Sequence, residues 1–175
     1  MAANPLDDDR LTAVGLLFEA HDGLIRRLTP QLAEHGLPQG EFEGLLRLAR
    51  TPGGRLRMSD LAAQLRLSTS GATRLVDRLE ARGLLERQAC PSDRRSLYAA
   101  ITPAGQTLVE DTMEGHLALV DQWFTGVLSA AELAALSSAL RKVRDVVHPQ
   151  AAAGADATPA VRSGSGGGDL DRDAV

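Results

Sequence analysis

The sequence predicts a mainly α-helical chain with one small β-hairpin, an α+β arrangement. Three observations predict it. Apolar residues recur at three- and four-residue spacing over both ends of the chain. Helix-start and helix-stop residues punctuate those stretches. Two short strand-like runs flank a polar loop near residues 90–95.

Residues 1–9 read as a disordered N-terminus. From Leu11 an apolar stripe follows at Val14, Leu17, Phe18, Leu24, Ile25, Leu28 and Leu32, which predicts a helix over 10–36. Gly36 and Pro38 end it. A second helix is predicted from Gln39 to Ala49, followed by a turn at Thr51-Pro52-Gly53-Gly54. Ser59 reads as the N-cap of a short helix from Asp60 to Leu65. Ser68 reads as the N-cap of the next helix, which runs to Arg82, with Gly83 suited to the residue just past its end.

Leu84–Arg87 and Leu97–Ile101 are the strand candidates, and Cys90-Pro91-Ser92-Asp93-Arg94-Arg95 is the loop between them. Thr102-Pro103 reads as an N-cap with proline in the first helical position. In the long helix that follows, Leu108, Leu117, Val120, Trp123, Phe124 and Val127 are the expected buried positions. Ser129 with Glu132 forms a capping-box pattern for a last helix. Its Leu133, Leu136, Leu140, Val143 and Val147 follow the heptad rhythm of helix-on-helix packing. From 149 to 175 small residues and Asp dominate, and this stretch reads as a disordered tail.

Composition narrows the function. The 43% of hydrophobic residues allow a packed core, and the 3% of aromatics make that core aliphatic. No apolar run reaches the roughly 20 residues of a membrane helix. The N-terminus has no basic and apolar secretory pattern, and Cys90 is the only cysteine, so the expectation is a cytoplasmic chain without disulfides. No membrane partner and no cofactor are expected. His21, His35, His116 and His148 show no metal-ligand spacing, so no metal site is expected. There is no phosphate-binding glycine loop and no nucleophile beside a base at recognisable spacing, which speaks against an enzyme.

The net charge of −4 hides an asymmetry. Arg50 to Arg95 holds ten arginines against five acids, a charge of +5, which leaves −9 for the rest of the chain. A basic segment in an acidic protein is the footprint of a nucleic-acid-binding module, although a solvated basic surface has the same composition.

Over 59–101 the predicted order is helix, turn, helix, hairpin. In the helix after Ser68, Ala72, Leu75, Val76 and Leu79 form one face, set to pack on Leu61, Ala62, Leu65 and Leu67. Ser70, Thr73, Arg74, Asp77 and Arg78 form the other. Hydroxyls near the N-terminus and arginines beyond them suit a helix that enters the major groove, where arginine bridges guanine O6 and N7. Gly71 permits close backbone approach. An ordinary surface helix has two such faces as well. The hairpin tip at Asp93-Arg94-Arg95 adds arginines placed for a minor groove, with Asp93 as their positioning partner.

The stretches SDLAAQLRLSTSGATRLVDRLEARGLLER and DRRSLYAAITPAG, in this order and spacing, resemble the MarR (multiple antibiotic resistance regulator) family over residues 11–147. The resemblance implies a winged helix-turn-helix over 37–102, between dimerisation helices at 10–36 and 103–148. It implies a homodimer on a pseudo-palindromic site in double-stranded DNA. Carried onto this sequence, the DNA contacts are Ser68, Thr69, Ser70, Thr73, Arg74 and Arg78 on the helix, with Arg94, Arg95 and the positioning Asp93 on the wing.

The resemblance further implies a repressor released by a small, often aromatic, anion bound between the dimer helices and the winged domain. His21, Phe18 and Arg26, with Arg27 nearby, are the candidate lining residues. A buried structural histidine and solvated arginines are the plainer reading of the same positions. Trp123 and Phe124 fit either a cleft or the core. Some relatives sense oxidants through a cysteine in the first helix, and that helix has none here. Cys90, beside Arg87 and Arg94, is the remaining redox candidate, set against an incidental cysteine. A redox-gated repressor and a winged module that binds protein instead of DNA stand as the alternatives.

Overall fold

The computed structural model describes residues 5–90 and 93–153. Among the described residues six α-helices form: α1 (Asp9–Glu34), α2 (Gln39–Arg50), α3 (Met58–Gln64), α4 (Thr69–Ala81), α5 (Pro103–Trp123) and α6 (Ala130–Val147). Strands β1 (Arg55–Arg57), β2 (Leu85–Cys90) and β3 (Asp93–Ile101) form an antiparallel sheet in the order β1-β3-β2. This is the fold class that the sequence predicts.

The helix ends follow local chemistry. Ser68 Oγ accepts the Gly71 amide at 3.1 Å, and Thr102 Oγ1 accepts the Gly105 amide at 3.1 Å. Ser129 and Glu132 close a reciprocal capping box. Gly83 follows α4 with φ +68°, a conformation glycine adopts without steric cost.

Several boundaries are corrected. The sheet has a third strand: Arg55-Leu56-Arg57 pairs with Ala100-Ala99-Tyr98. Because β1 runs directly into α3, the helix starts at Met58 with Arg57 in the cap position, and Ser59 is not its cap. The hairpin strands extend beyond the predicted runs, to Cys90 and back to Asp93. At the N-terminus, Pro5–Asp7 form a 3-10 turn and Asp8 caps α1 through the Arg10 amide, so order begins before residue 10. At the other end, Pro149–Ala152 form a second 3-10 turn with Ala151 buried, where a disordered tail was predicted from residue 149. The rest of that tail, 154–175, lies outside the described residues, as do residues 1–4.

One aliphatic core joins the pieces. Leu45 and Leu48 of α2, Leu61 of α3, Leu75, Val76 and Leu79 of α4, Leu56 of β1, Leu85 of β2 and Ala99 of β3 are all buried together with Val109 of α5. α5 is seated by its first turn. Thr102 Oγ1 donates to the Gly83 carbonyl at 2.7 Å, and a Cβ built on Gly105 would stand 2.0 Å from the Leu84 carbonyl oxygen. Alanine normally favours a helix by up to ~1 kcal/mol over glycine. Here overpacking against backbone outweighs that gain, so Gly105→Ala is expected to destabilise the fold by about 2–3 kcal/mol in urea denaturation. A stabilised variant would show that the α5 seat relaxes.

Leu117, Trp123 and Val127, expected to be buried, are exposed in this chain. They project away from the core, because α5 buries only Gly105, Val109 and Thr112. α6 buries no residue at all, and Leu140, Val143 and Val147 face outward. Leu11, Val14, Leu17 and Phe18 of α1 are exposed in the same way. Leu67, expected under α4, is exposed at the α3–α4 turn.

Candidate nucleic-acid interface

α4 has the two faces predicted for it. Ala72, Leu75, Val76 and Leu79 are buried, and Ser68, Thr69, Ser70, Thr73, Arg74, Asp77 and Arg78 are exposed. The hydroxyls differ in what they can still offer. Ser68 Oγ caps the helix and lies 3.1 Å from Ser70 Oγ. Thr73 Oγ1 donates to the Thr69 carbonyl at 2.9 Å. Arg74 has no hydrogen bond or ion pair among the described residues, so its whole guanidinium fork is available.

Arg78 is held from behind. Its Nε donates to Glu41 Oε1 at 3.0 Å, and Arg82 Nη1 donates to Glu41 Oε2 at 2.6 Å. The Glu41 side chain is only 7% exposed, so one sunken carboxylate of α2 orients two arginines of the α4 end. The two acids of α4 are neutralised from the sheet. Arg87 of β2 donates through Nη2 to Asp77 at 2.6 Å and through Nη1 to Glu80, and its backbone amide donates to Glu80 Oε1 at 3.1 Å. Burial works against the charge of Arg87 but is outweighed: Asp77 and Glu80 hold the guanidinium above its ordinary value. These contacts tie β2 to α4, and the α4 face turned to solvent is left with little uncompensated negative charge.

Glu41, Arg82 and Arg87 were not singled out by sequence. Their partners lie up to 41 residues away, and no local pattern announces such pairs. Asp93, Arg94, Arg95 and Cys90 have their backbone in β3 and β2, but their side chains lie outside the described residues. Neither the minor-groove reading nor the redox reading gains a geometric observation.

Recesses of different kinds open near the terminal helices. One of about 190 Å³ lies between α1, α2 and α5, lined by Ile25, Leu28, Thr29, Leu32, Phe42 and His116 among others. The His116 and Phe42 rings are 4.8 Å apart and tilted. A larger apolar recess of about 460 Å³ lies between α1, the end of α5 and α6, where Arg27 stacks 4.3 Å over the Trp123 ring. Phe18 and His21 sit on the exposed side of α1 and line neither recess; His21 Nδ1 meets Asp22 at 2.9 Å. Arg26 borders only a shallow recess with Gly23 and Arg27. Among the described residues, no three His, Cys, Asp or Glu side chains converge to hold a metal ion. No single described helix is long and apolar enough to cross a membrane.

Burial pushes the His116 imidazole below its ordinary value of 6.5. The unfolded chain then takes up this proton at a higher pH than the folded one. Stability from this group is complete above pH 6.5 and falls as pH drops through the unfolded value. Guanidinium denaturation between pH 7.5 and 5 is expected to show a shallower acid decline for His116→Phe than for the parent. Equal declines would place the proton uptake elsewhere.

The MarR family profile matches residues 35–96, which span α2, α3, α4 and most of the hairpin. The chain is 30% identical over 128 residues to the HTH-type transcriptional regulator MhqR of Bacillus subtilis (strain 168), covering 73% of this chain and 86% of the relative. The fold superposes with a TM-score of 0.73 on Sco3205, a MarR family transcriptional regulator from Streptomyces coelicolor solved in complex with DNA. That match has 30% identity and covers 81% of this chain and 89% of the other. It superposes with a TM-score of 0.65 on BpsR of Bordetella bronchiseptica, whose DNA binding is regulated by 6-hydroxynicotinic acid, with 26% identity over 77% of this chain and 99% of the other. These relatives are regulators, not enzymes. By this similarity of sequence and fold, the chain that presents the exposed α4 face is a DNA-binding transcriptional regulator of the MarR family.

Proposed function

We propose that the chain works as a homodimeric repressor that occupies a pseudo-palindromic operator and leaves it when a small aromatic anion binds. The observation that carries this reading is the guanidinium of Arg74, which has no partner among the described residues, on the exposed face of a braced α4. In this reading Thr69, Ser70, Arg74 and the outer nitrogens of Arg78 meet bases and phosphates, while Ser68 and Thr73 hold the helix end in shape. Arg94 and Arg95, positioned by Asp93, take the adjacent minor groove. The location is cytoplasmic, where the DNA is.

The dimer reading rests on the outward apolar side chains of α1, α5 and α6, which find no cover among the described residues. The effector reading rests on the small recess. It is shared by α1 and α5, which belong to the dimer half, and α2, which carries Glu41 and so touches Arg78 and Arg82. A ring seated beside Phe42 and His116 would push α2 and, through Glu41, the α4 end. The regulation of BpsR by an aromatic acid supports that ligand class.

The test is fluorescence anisotropy of the protein on DNA from upstream of its own gene, across a salt series, beside a scrambled duplex. Tight upstream binding is expected, with log K falling by ~0.9 per log salt for each phosphate neutralised. Release by 6-hydroxynicotinate or a related hydroxylated aromatic acid, lost in Phe42→Ala, is expected next. Equal weak binding to both duplexes would remove the sequence-specific reading.

A further inference from the structure

The C-terminal end of the described chain folds back onto the DNA-reading half. Arg47 Nη1 of α2 donates to the Ala151 carbonyl at 3.2 Å, Gln64 of α3 donates to the Ala153 carbonyl, and His148 Nε2 donates to the Ala63 carbonyl at 2.8 Å. Between this clip and α2 lies a recess of about 540 Å³. Four arginines line it: Arg47 and Arg50 of α2, Arg66 after α3 and Arg144 of α6.

Opposing charge is scarce there. Among the described residues Glu43 is the only carboxylate in the lining, and it accepts from Gln39 at 3.1 Å. Arg144 pairs with Asp145, which lies outside the lining. Arg50 and Arg66 have neither a hydrogen bond nor an ion pair for their side chains among the described residues. Arg66 is also held at φ +58°, a region side-chain-bearing residues rarely adopt. Like charges gathered around a concave surface raise the local potential and draw in a counter-ion.

We infer that this recess binds a compact phosphate-type anion carrying two or more charges, gripped by Arg50 and Arg66 between Arg47 and Arg144. Guanidinium forks match the oxygen spacing of a phosphate group and bind it through paired charge-assisted hydrogen bonds. The bound anion ties α6, of the dimer half, to α2 and the end of α3, of the reading half. Glu43 also borders the Phe42–His116 recess, but none of the four arginines does. The phosphate comes either from a free oligophosphate or from the DNA backbone.

The experiment uses the full chain and the double variant Arg50→Gln/Arg66→Gly. Glutamine is a good helix former, and glycine relieves the positive φ, so the variant keeps its fold. Inorganic pyrophosphate is titrated by calorimetry at ionic strength fixed with KCl, and the salt slope of DNA binding is measured for both proteins. Saturable pyrophosphate binding that weakens about tenfold or more in the variant, with an unchanged DNA slope, supports a free oligophosphate. A DNA slope that falls by ~0.9 for each lost contact supports the DNA backbone as the source. If pyrophosphate binds the parent and the variant alike or follows ionic strength alone, and the slope does not change, the inference is overturned.

Discussion

Arg74→Ala is expected to weaken operator binding by between roughly 30-fold and 20,000-fold, because each bidentate arginine–guanine contact is worth ~1–3 kcal/mol and a dimer makes it twice. Arg74 is singled out over Arg78 by what each side chain is already doing. Arg78 has its Nε on Glu41, whereas Arg74 is exposed and has no partner among the described residues. The substitution leaves the fold alone, since alanine is the strongest helix former and the buried face of α4 is untouched. Binding to a scrambled duplex should fall only by the phosphate component, so the ratio between operator and scrambled DNA should collapse. Arg74→Lys should recover affinity for DNA in general but not that ratio, because an ammonium group cannot form the two-pronged contact. Anisotropy on both duplexes decides it. If Arg74→Ala keeps the parent's ratio while Arg78→Ala loses it, the reading residue lies one turn further along the helix.

How much of this was legible in the sequence depends on how far apart the interacting groups lie. Caps are local, so Ser68, Thr102-Pro103 and the Ser129–Glu132 box could be read directly, and with them the bounds of α4 and the starts of α5 and α6. β1 was missed because three residues are too few to show alternation and its partner, β3, begins 36 residues after it ends. The braces Glu41–Arg78 and Arg87–Asp77 were missed for the same reason of distance. Periodicity found the apolar stripe on α1 and put His21 on it, but not what each part of the stripe faces. Ile25, Leu28 and Leu32 turn toward Phe42 and His116, while Phe18 and His21 turn to solvent. Leu117, Trp123 and Val127 were read as buried positions because periodicity marks a side chain as apolar without saying what covers it; in the single chain they form an outer face and not part of its core.

That outer face leads to the second large effect. Phe18→Glu combined with Val143→Glu is expected to yield a folded monomer that binds its operator no better than random DNA. Phe18 is 63% exposed and Val143 50%, so in the single chain a carboxylate at either position stays in water and the core around Leu45 and Leu75 is undisturbed. In a dimer that covers α1 and α6, the same carboxylates would be buried without partners, a cost that two copies of two substitutions multiply. A dimer reads two half-sites in one binding event, and a monomer loses the gain from linking them. Affinity should therefore drop from the ~10⁻⁸–10⁻¹¹ M range of specific regulators toward the ~10⁻⁴–10⁻⁶ M of non-specific binding. Sedimentation equilibrium should give half the parent's mass. The parent's melting temperature should rise with protein concentration and the variant's should not, because only the parent is stabilised by association. A variant that remains dimeric would place the interface elsewhere on the chain. A monomer that still held the operator tightly would mean that one copy of α4 with its hairpin reads the site alone. The exposed Leu140, Val143 and Val147 of α6 would then need another partner, since no described residue of their own chain buries them.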